Sequence, residues 1–167
     1  VLGLLTAISL GGLLLTLAGL LGPQLGLDVA RGAGDTLARA WQAPGAAQSW
    51  IAVAVLGVVE LLSMLAGGYV AGRMARFSGV AQGVSVWLWS LLARAVASVG
   101  VLLWADAATA AGPRWVAQEL IGSDVGMGLI ALGGLVLLGL AGAILGGVWG
   151  MRYHRKVDAW TVSNAIS

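Results

Sequence analysis

Four long apolar segments alternate with segments that carry most of the charged residues. The apolar segments cover residues 1–21, 51–72, 84–105 and 125–150. About 20 consecutive apolar residues in an α-helix span the ~30 Å hydrocarbon core of a bilayer, and each segment is long enough. The pattern predicts an all-α membrane protein with four transmembrane helices, arranged as two hairpins.

We interpret the first segment, residues 1–21, as a retained transmembrane span. It has no charged residue and exceeds the usual ~7–15-residue apolar region of a signal peptide, which is the alternative interpretation. The chain begins at Val1 rather than at a methionine, so we expect a further N-terminal segment ahead of it.

The two longer connections, residues 22–50 and 106–124, are each expected to contain a short helix at the membrane surface. Apolar side chains recur at every fourth position from Val29 to Trp41, which is typical of an amphipathic interfacial helix, although an irregular loop is the alternative. In the second connection, Pro113 suits the first position of a short helix.

The distribution of basic residues predicts the orientation. The turn at residues 73–83 and the tail at residues 151–167 contain five cations, whereas the two longer connections contain three cations and five acids. Because cytoplasmic loops carry the excess of Lys and Arg, we expect both termini in the cytoplasm. The cations expected to contact anionic lipid headgroups there are Arg73, Arg76, Arg152, Arg155 and Lys156.

Glycines at helical spacing predict close helix packing. Gly142, Gly146 and Gly150 form one stripe on the fourth span. A second small-residue region lies near the end of the second span, and its glycines are Gly67, Gly68 and Gly72. Small residues at this spacing let helix backbones approach one another in a membrane. We expect the fourth-span stripe to pack on the second span near Gly67 to Ala71.

The two halves of the chain resemble each other. AGGYVAGRMAR near the end of the second span is similar to LGGVWGMRYHR near the end of the fourth. A tandem duplication of one hairpin accounts for this similarity. Shared composition of glycine-rich helix ends followed by arginines is the alternative, and the sequence does not decide between them.

One acid and one base fall in the middle of adjacent spans. Glu60 lies 18 residues before Ser78 and Arg94 lies 16 after it, so their depths would differ by about 3 Å. A lone charge at mid-membrane costs ~2.5–3.5 kcal/mol. We therefore expect an intramembrane ion pair that fixes helix register. The alternatives are a proton, ion or substrate path, or contact with a partner subunit or lipid headgroup.

The remaining chemistry argues against an enzyme. Charged residues make up 10% of the chain, and its net charge of +2 does not indicate nucleic-acid binding. The sequence has no cysteine, and its single histidine, His154, lies in a basic segment beyond the fourth span. We predict no catalytic, cofactor-binding or metal-binding residue.

Two sequence motifs also resemble those of a known group of proteins. The residues Gly67 to Arg73 and Gly146 to Asp158 resemble motifs of small four-span bacterial membrane proteins of unknown function, found in actinobacteria and other high-GC lineages and loosely similar to the YrzE-type family. The chain departs from that pattern at Met151 and Arg94. The resemblance implies the four-span architecture and no activity.

These observations predict a non-catalytic accessory or assembly subunit of a larger complex in the bacterial cytoplasmic membrane, such as a respiratory or photosynthetic complex. Its expected partners are the lipid bilayer and other membrane-protein subunits, with no nucleic acid. A small homo-oligomeric channel or transporter that uses Glu60 and Arg94 is the alternative.

Overall fold

The computed structural model describes residues 1–27, 33–75, 78–104 and 125–165, and their side chains except at residues 98, 100–104 and 153–165. Within these ranges the chain forms five α-helices and no strand. The elements in order are α1 (Leu2–Leu21), a 3₁₀ turn (Pro23–Leu25), α2 (Ala33–Gln42), α3 (Ala47–Met74), α4 (Gly79–Trp104) and α5 (Val125–Ala165).

The predicted all-α class is confirmed in the described part of the chain, together with four helices long and apolar enough to cross a membrane. These segments are Leu2–Leu21, Ala47–Met74, Gly79–Ala97 and Val125–Arg152. The two-hairpin arrangement and the duplication stay predictions. The second connection and its predicted short helix lie outside the described residues.

A glycine in the left-handed region ends the 3₁₀ turn that follows α1. Gly26 has φ 72°, its N–H donates to the Pro23 carbonyl at 3.2 Å, and the Leu27 N–H donates to the Gly22 carbonyl at 2.7 Å. Together these bonds satisfy carbonyls at the helix end in the manner of a Schellman motif. Glycine adopts this φ without the steric cost that a Cβ imposes. The chain therefore turns sharply after the predicted first span.

The first connection contains a helix, α2, so the irregular-loop alternative is wrong for residues 33–42. Asp35 in its first turn and Arg39 in its last turn both complement the helix dipole. Thr36 is 1% exposed, whereas Trp41 is 65% exposed. The location of α2 at a membrane surface stays a prediction.

The turn between α3 and α4 is shorter than the predicted range of residues 73–83. Helix α3 continues to Met74 and α4 begins at Gly79, which leaves residues 75–78 between them. Ser78 has φ 50°, and its carbonyl accepts the Gln82 N–H at 3.2 Å. Gly79 and Gly83 are therefore helical residues and not part of a loop.

Helix α5 continues well beyond the predicted end of the fourth span at residue 150. It has 41 residues, which correspond to about 60 Å at ~1.5 Å rise per residue, roughly twice the hydrocarbon thickness. The basic segment after the span is therefore a helical extension.

The chain forms two compact units. Unit 1 consists of Val1–Gly11, Glu60–Ser90 and Leu138–Ser167, and unit 2 consists of Gly12–Val59 and Leu91–Leu137. The core of unit 1 is built mainly from small side chains around one large residue, Met64, which is 1% exposed. The other core residues are Ala7, Val86 and Ala143.

Candidate functional site: a glycine-lined helix junction

Helices α3 and α5 touch backbone to backbone in unit 1. A methyl group placed on Gly68, where an alanine has its Cβ, would lie 2.9 Å from the Ala143 carbonyl carbon. On Gly72 it would lie 3.0 Å from the Gly147 carbonyl carbon. Only a residue without a side chain fits at either position, because the obstructing atoms belong to a helix backbone and not to a side chain that could move.

Helix α4 meets the same two residues of α5. A methyl group on Gly79 would lie 2.8 Å from the Gly147 carbonyl carbon, and one on Gly83 would lie 2.7 Å from that of Ala143. Thus Ala143 faces Gly68 and Gly83, while Gly147 faces Gly72 and Gly79. We call this set of six residues the glycine junction. Each helix contributes two of them, spaced four apart, and one turn of α5 packs against both α3 and α4.

The predicted stripe on α5 packs beside this junction. A methyl group on Gly142 would lie 2.6 Å from the Leu61 carbonyl oxygen. One on Gly146 would lie 2.8 Å from the Tyr69 nitrogen. A methyl group on Gly150 would lie 2.9 Å from the Arg73 nitrogen. The stripe therefore contacts α3, but along the Leu61, Leu65 and Tyr69 face.

The neighbouring face of α3 is occupied by α1. A methyl group on Gly3 would lie 2.5 Å from the Gly67 carbonyl oxygen, and one on Gly67 would lie 2.6 Å from the Gly3 carbonyl oxygen. Further along, a methyl group on Gly11 would lie 3.2 Å from the Ser63 hydroxyl oxygen. The expected contact of α5 with α3 near Gly67 to Ala71 is found at Tyr69, inside that range, whereas Gly67 itself packs on α1.

These contacts explain how the parts of α1, α3, α4 and α5 that belong to unit 1 are held together in a lipid environment. Lipid tails are as apolar as leucine side chains, so helix association depends on van der Waals packing and not on the hydrophobic effect. Each atom pair contributes only ~0.1–0.2 kcal/mol, and the stabilisation depends on how many pairs come into contact. Glycine stripes increase that number by bringing whole backbones together.

Glu60 lies on the α5-facing side of α3. It is half-buried, and its carboxylate oxygen Oε1 would lie 2.9 Å from a methyl group on Gly139. The same methyl group would lie 3.3 Å from Met64 Cγ. Glu60, Met64, Gly68 and Gly72 follow one another at intervals of four, so the carboxylate is on the same face as the glycine junction.

The second member of the predicted ion pair lies in unit 2. Arg94 is exposed and Glu60 belongs to unit 1. Both side chains take part in interactions. Their mutual pairing stays a prediction.

The predicted headgroup-binding residues are described only in part. Arg73 and Arg152 are exposed. The Arg73 guanidinium donates to the Tyr69 hydroxyl at 3.2 Å and lies 5.9 Å from the Tyr69 ring centroid, within cation–π range. Arg76 is outside the described residues. The side chains of His154, Arg155 and Lys156 are outside them as well. Headgroup contact stays a prediction for the five basic residues, Arg73, Arg76, Arg152, Arg155 and Lys156.

Sequence reasoning missed three glycines of the junction and the glycine that faces Glu60. Gly79 and Gly83 fell within the predicted turn, although their spacing of four was visible there. Gly147 lies beside the predicted stripe, and Gly139 lies one turn before it. A longer stripe at helical spacing, from Gly139 to Gly150, was the available signal.

Among the described residues, no three acidic or histidine side chains come together as a metal-ligand group. No protein-family profile, curated protein or solved structure matches the chain. The resemblance to the four-span bacterial group therefore stays a prediction.

Proposed function

We propose that this integral membrane protein is a non-catalytic structural or assembly subunit of a larger complex in the bacterial cytoplasmic membrane, with both termini in the cytoplasm. It would belong to the small four-span group that its glycine motifs resemble. Its contribution would be a rigid, closely packed set of helices on which partner helices dock.

The observation that supports the proposal is the set of glycines with open space in front of them. A methyl group on Gly12, Gly133 or Gly134 would meet no described neighbour within 4 Å. Glycine in a helix interior costs about 1 kcal/mol relative to alanine in soluble hosts, so a glycine that packs on nothing needs another reason. A partner helix that approaches these positions closely provides that reason.

Gly133 and Gly134 are the stronger docking positions because they are adjacent and both exposed on α5. Large apolar side chains around them are exposed as well, including Ile130 at 63% and Leu137 at 67%. A small-residue patch bordered by large apolar residues is suited to receive a helix ridge. We expect the partner's contact to centre there.

The channel or transporter alternative has less support. A path through the protein would need Glu60 to face a polar passage. Its carboxylate lies near Gly139 and Met64, where α3 faces α5, and the side chain has an interaction partner. This environment favours a structural role for Glu60.

The test is purification of the tagged protein from its own membranes in mild detergent, followed by mass spectrometry. Stoichiometric partners are expected with the unaltered chain and are expected to be lost from Gly134→Leu. Ala141→Leu is the matched control, since it adds bulk at another exposed position of α5 and should retain the partners. A homogeneous homo-oligomer that conducts ions in liposomes would overturn the proposal in favour of the channel.

A further inference from the structure

Unit 2 contains a polar cavity that no predicted site uses. It has a volume of about 120 Å³, well above the roughly 15 Å³ needed to admit one water. The described residues that line it are Gly26, Thr36, Arg39, Gln48, Ser49 and Ala52. The cavity thus combines one guanidinium, one amide and two hydroxyl groups.

Three separate elements bring these groups together. Arg39 is in the last turn of α2, and Thr36, which is 1% exposed, precedes it by three residues on the same face. Gln48 and Ser49 are in the first turn of α3. The turn after α1 closes the cavity, since a methyl group on Gly26 would lie 3.2 Å from Gln48 Nε2.

An apolar cavity is lined by the end of α1, the turn after it and α3. It has a volume of about 240 Å³ and is lined on α3 by Val55 and Val59. Gln48, Ala52, Val55 and Val59 are spaced by four, three and four residues, so they lie on one face of α3. The remaining described lining residues are apolar or glycine and come from the end of α1 and the turn after it: Leu14, Leu17, Ala18, Leu21, Gly22, Leu25 and Leu27.

We propose that these two cavities together bind one anionic phospholipid, with its phosphodiester in the polar cavity and part of one acyl chain in the apolar cavity. The site does not depend on the proposed subunit role. Guanidinium groups bind phosphate oxygens through two parallel hydrogen bonds, and the Ser49 hydroxyl and the Gln48 amide supply further donors.

Charge complementarity selects the headgroup. A zwitterionic lipid would place its own ammonium group near Arg39, whereas a phosphatidylglycerol headgroup carries only the phosphodiester charge. Arg39 is the one cation among the described residues that line the polar cavity. A singly charged phosphodiester therefore suits the site better than a doubly charged phosphate.

The test measures lipid binding to the purified full chain by native mass spectrometry. Phosphatidylglycerol is compared with phosphatidylcholine and with oleate, the first two having identical acyl chains. We expect preferential retention of phosphatidylglycerol. Arg39→Gln should weaken that retention roughly tenfold to hundredfold, the range for losing a charged hydrogen bond. Phosphatidylcholine binding should not change.

Further variants separate the contributions of charge, geometry and chain. Arg39→Lys keeps the charge but loses the planar fork, so it should recover only part of the affinity. Gln48→Leu should weaken phosphatidylglycerol binding, while Gln42→Leu, an exposed residue outside the lining, should not. Val55→Phe fills the apolar cavity and should reduce retention of the long-chain lipid.

Two results would overturn the proposal. One is unchanged phosphatidylglycerol retention in Arg39→Gln and Gln48→Leu, each checked for native helicity by circular dichroism. The other is equal retention of oleate with the same dependence on Arg39, which would assign the site to a fatty acid. If Arg39→Gln does not fold, the Gln48→Leu and Gln42→Leu pair decides the question by the same criterion.

Discussion

Glycines serve different purposes in unit 1 and unit 2. In unit 1, Gly68, Gly83 and Gly146 each lie against the backbone of another helix, and any side chain there would strike main-chain atoms. In unit 2, Gly12 and Gly133 face open space among the described residues. A glycine within an apolar helix therefore indicates internal packing in unit 1 and an available surface in unit 2. Glycine content alone does not distinguish them.

The largest expected effect comes from placing the same large side chain at one glycine of each kind on α5. Gly146→Leu would drive a side chain into the Leu65 and Tyr69 backbone, and we expect a loss of more than ~3 kcal/mol in the free energy of unfolding. Gly133→Leu should leave it unchanged or raise it by up to about 1 kcal/mol, since leucine is the better helix former and meets no described neighbour there. Denaturation in detergent followed by circular dichroism measures both. Equal losses would break the distinction between the two regions.

A smaller change at the glycine junction should have an intermediate effect. In Gly83→Ala, the new methyl group would meet the Ala143 backbone, and we expect a loss of about 1–3 kcal/mol. Gly45→Ala is the control, since that glycine is exposed with no described neighbour within 4 Å of the new methyl. A stabilised Gly83→Ala variant in the same denaturation assay would show that α4 and α5 are further apart than described.

The predicted ion pair can be tested by a double-mutant cycle with Glu60→Gln and Arg94→Gln. Residues in direct contact show interaction energies of about 0.5 kcal/mol or more, whereas independent residues add within roughly that amount. We expect coupling above this level from the matched depths of the two charges. Additive effects on the free energy of unfolding would contradict the predicted ion pair.

The smallest effect is expected at Gly139. The group nearest to a methyl there is the Glu60 carboxylate, the flexible end of a side chain, so it can move aside. Gly139→Ala should therefore cost less than Gly142→Ala, whose methyl would meet the Leu61 carbonyl oxygen. Comparing the two unfolding free energies tests whether a backbone neighbour is the decisive factor. A greater loss at Gly139 would contradict it.

Apolar segment length was enough to predict the four long helices, because spanning a bilayer requires about 20 residues that lack charge. The end of α5 was missed since charged residues end the apolar run at Arg152. Helix formation continues there, and no glycine or proline follows Gly150 to interrupt it. Hydrophobicity thus marked the span but not the full helix.

The sites were less predictable. The stripe of Gly142, Gly146 and Gly150 was visible in the sequence, but its partner face was not, since α3 has two neighbouring small-residue stripes. The polar cavity was missed because Gly26, Arg39 and Gln48 belong to three different elements whose packing the sequence pattern does not show. Only the turn after α1 and the short helix α2 bring them together.

The central claim is that stripes of small residues in unit 1 hold helices in close contact, and a disulfide between α1 and α3 tests it most directly. The chain has no cysteine of its own. A methyl group on Gly11 would lie 3.6 Å from Ser63 Cβ, within the ~3.5–4.5 Å separation of disulfide-linked Cβ atoms. Gly11→Cys with Ser63→Cys should therefore cross-link readily under mild oxidation in native membranes. The control pairs Ser63→Cys with Gly12→Cys, which has no described neighbour within 4 Å, and should remain reduced. Equal cross-linking of both pairs, or cross-linking of the control alone, would contradict the account.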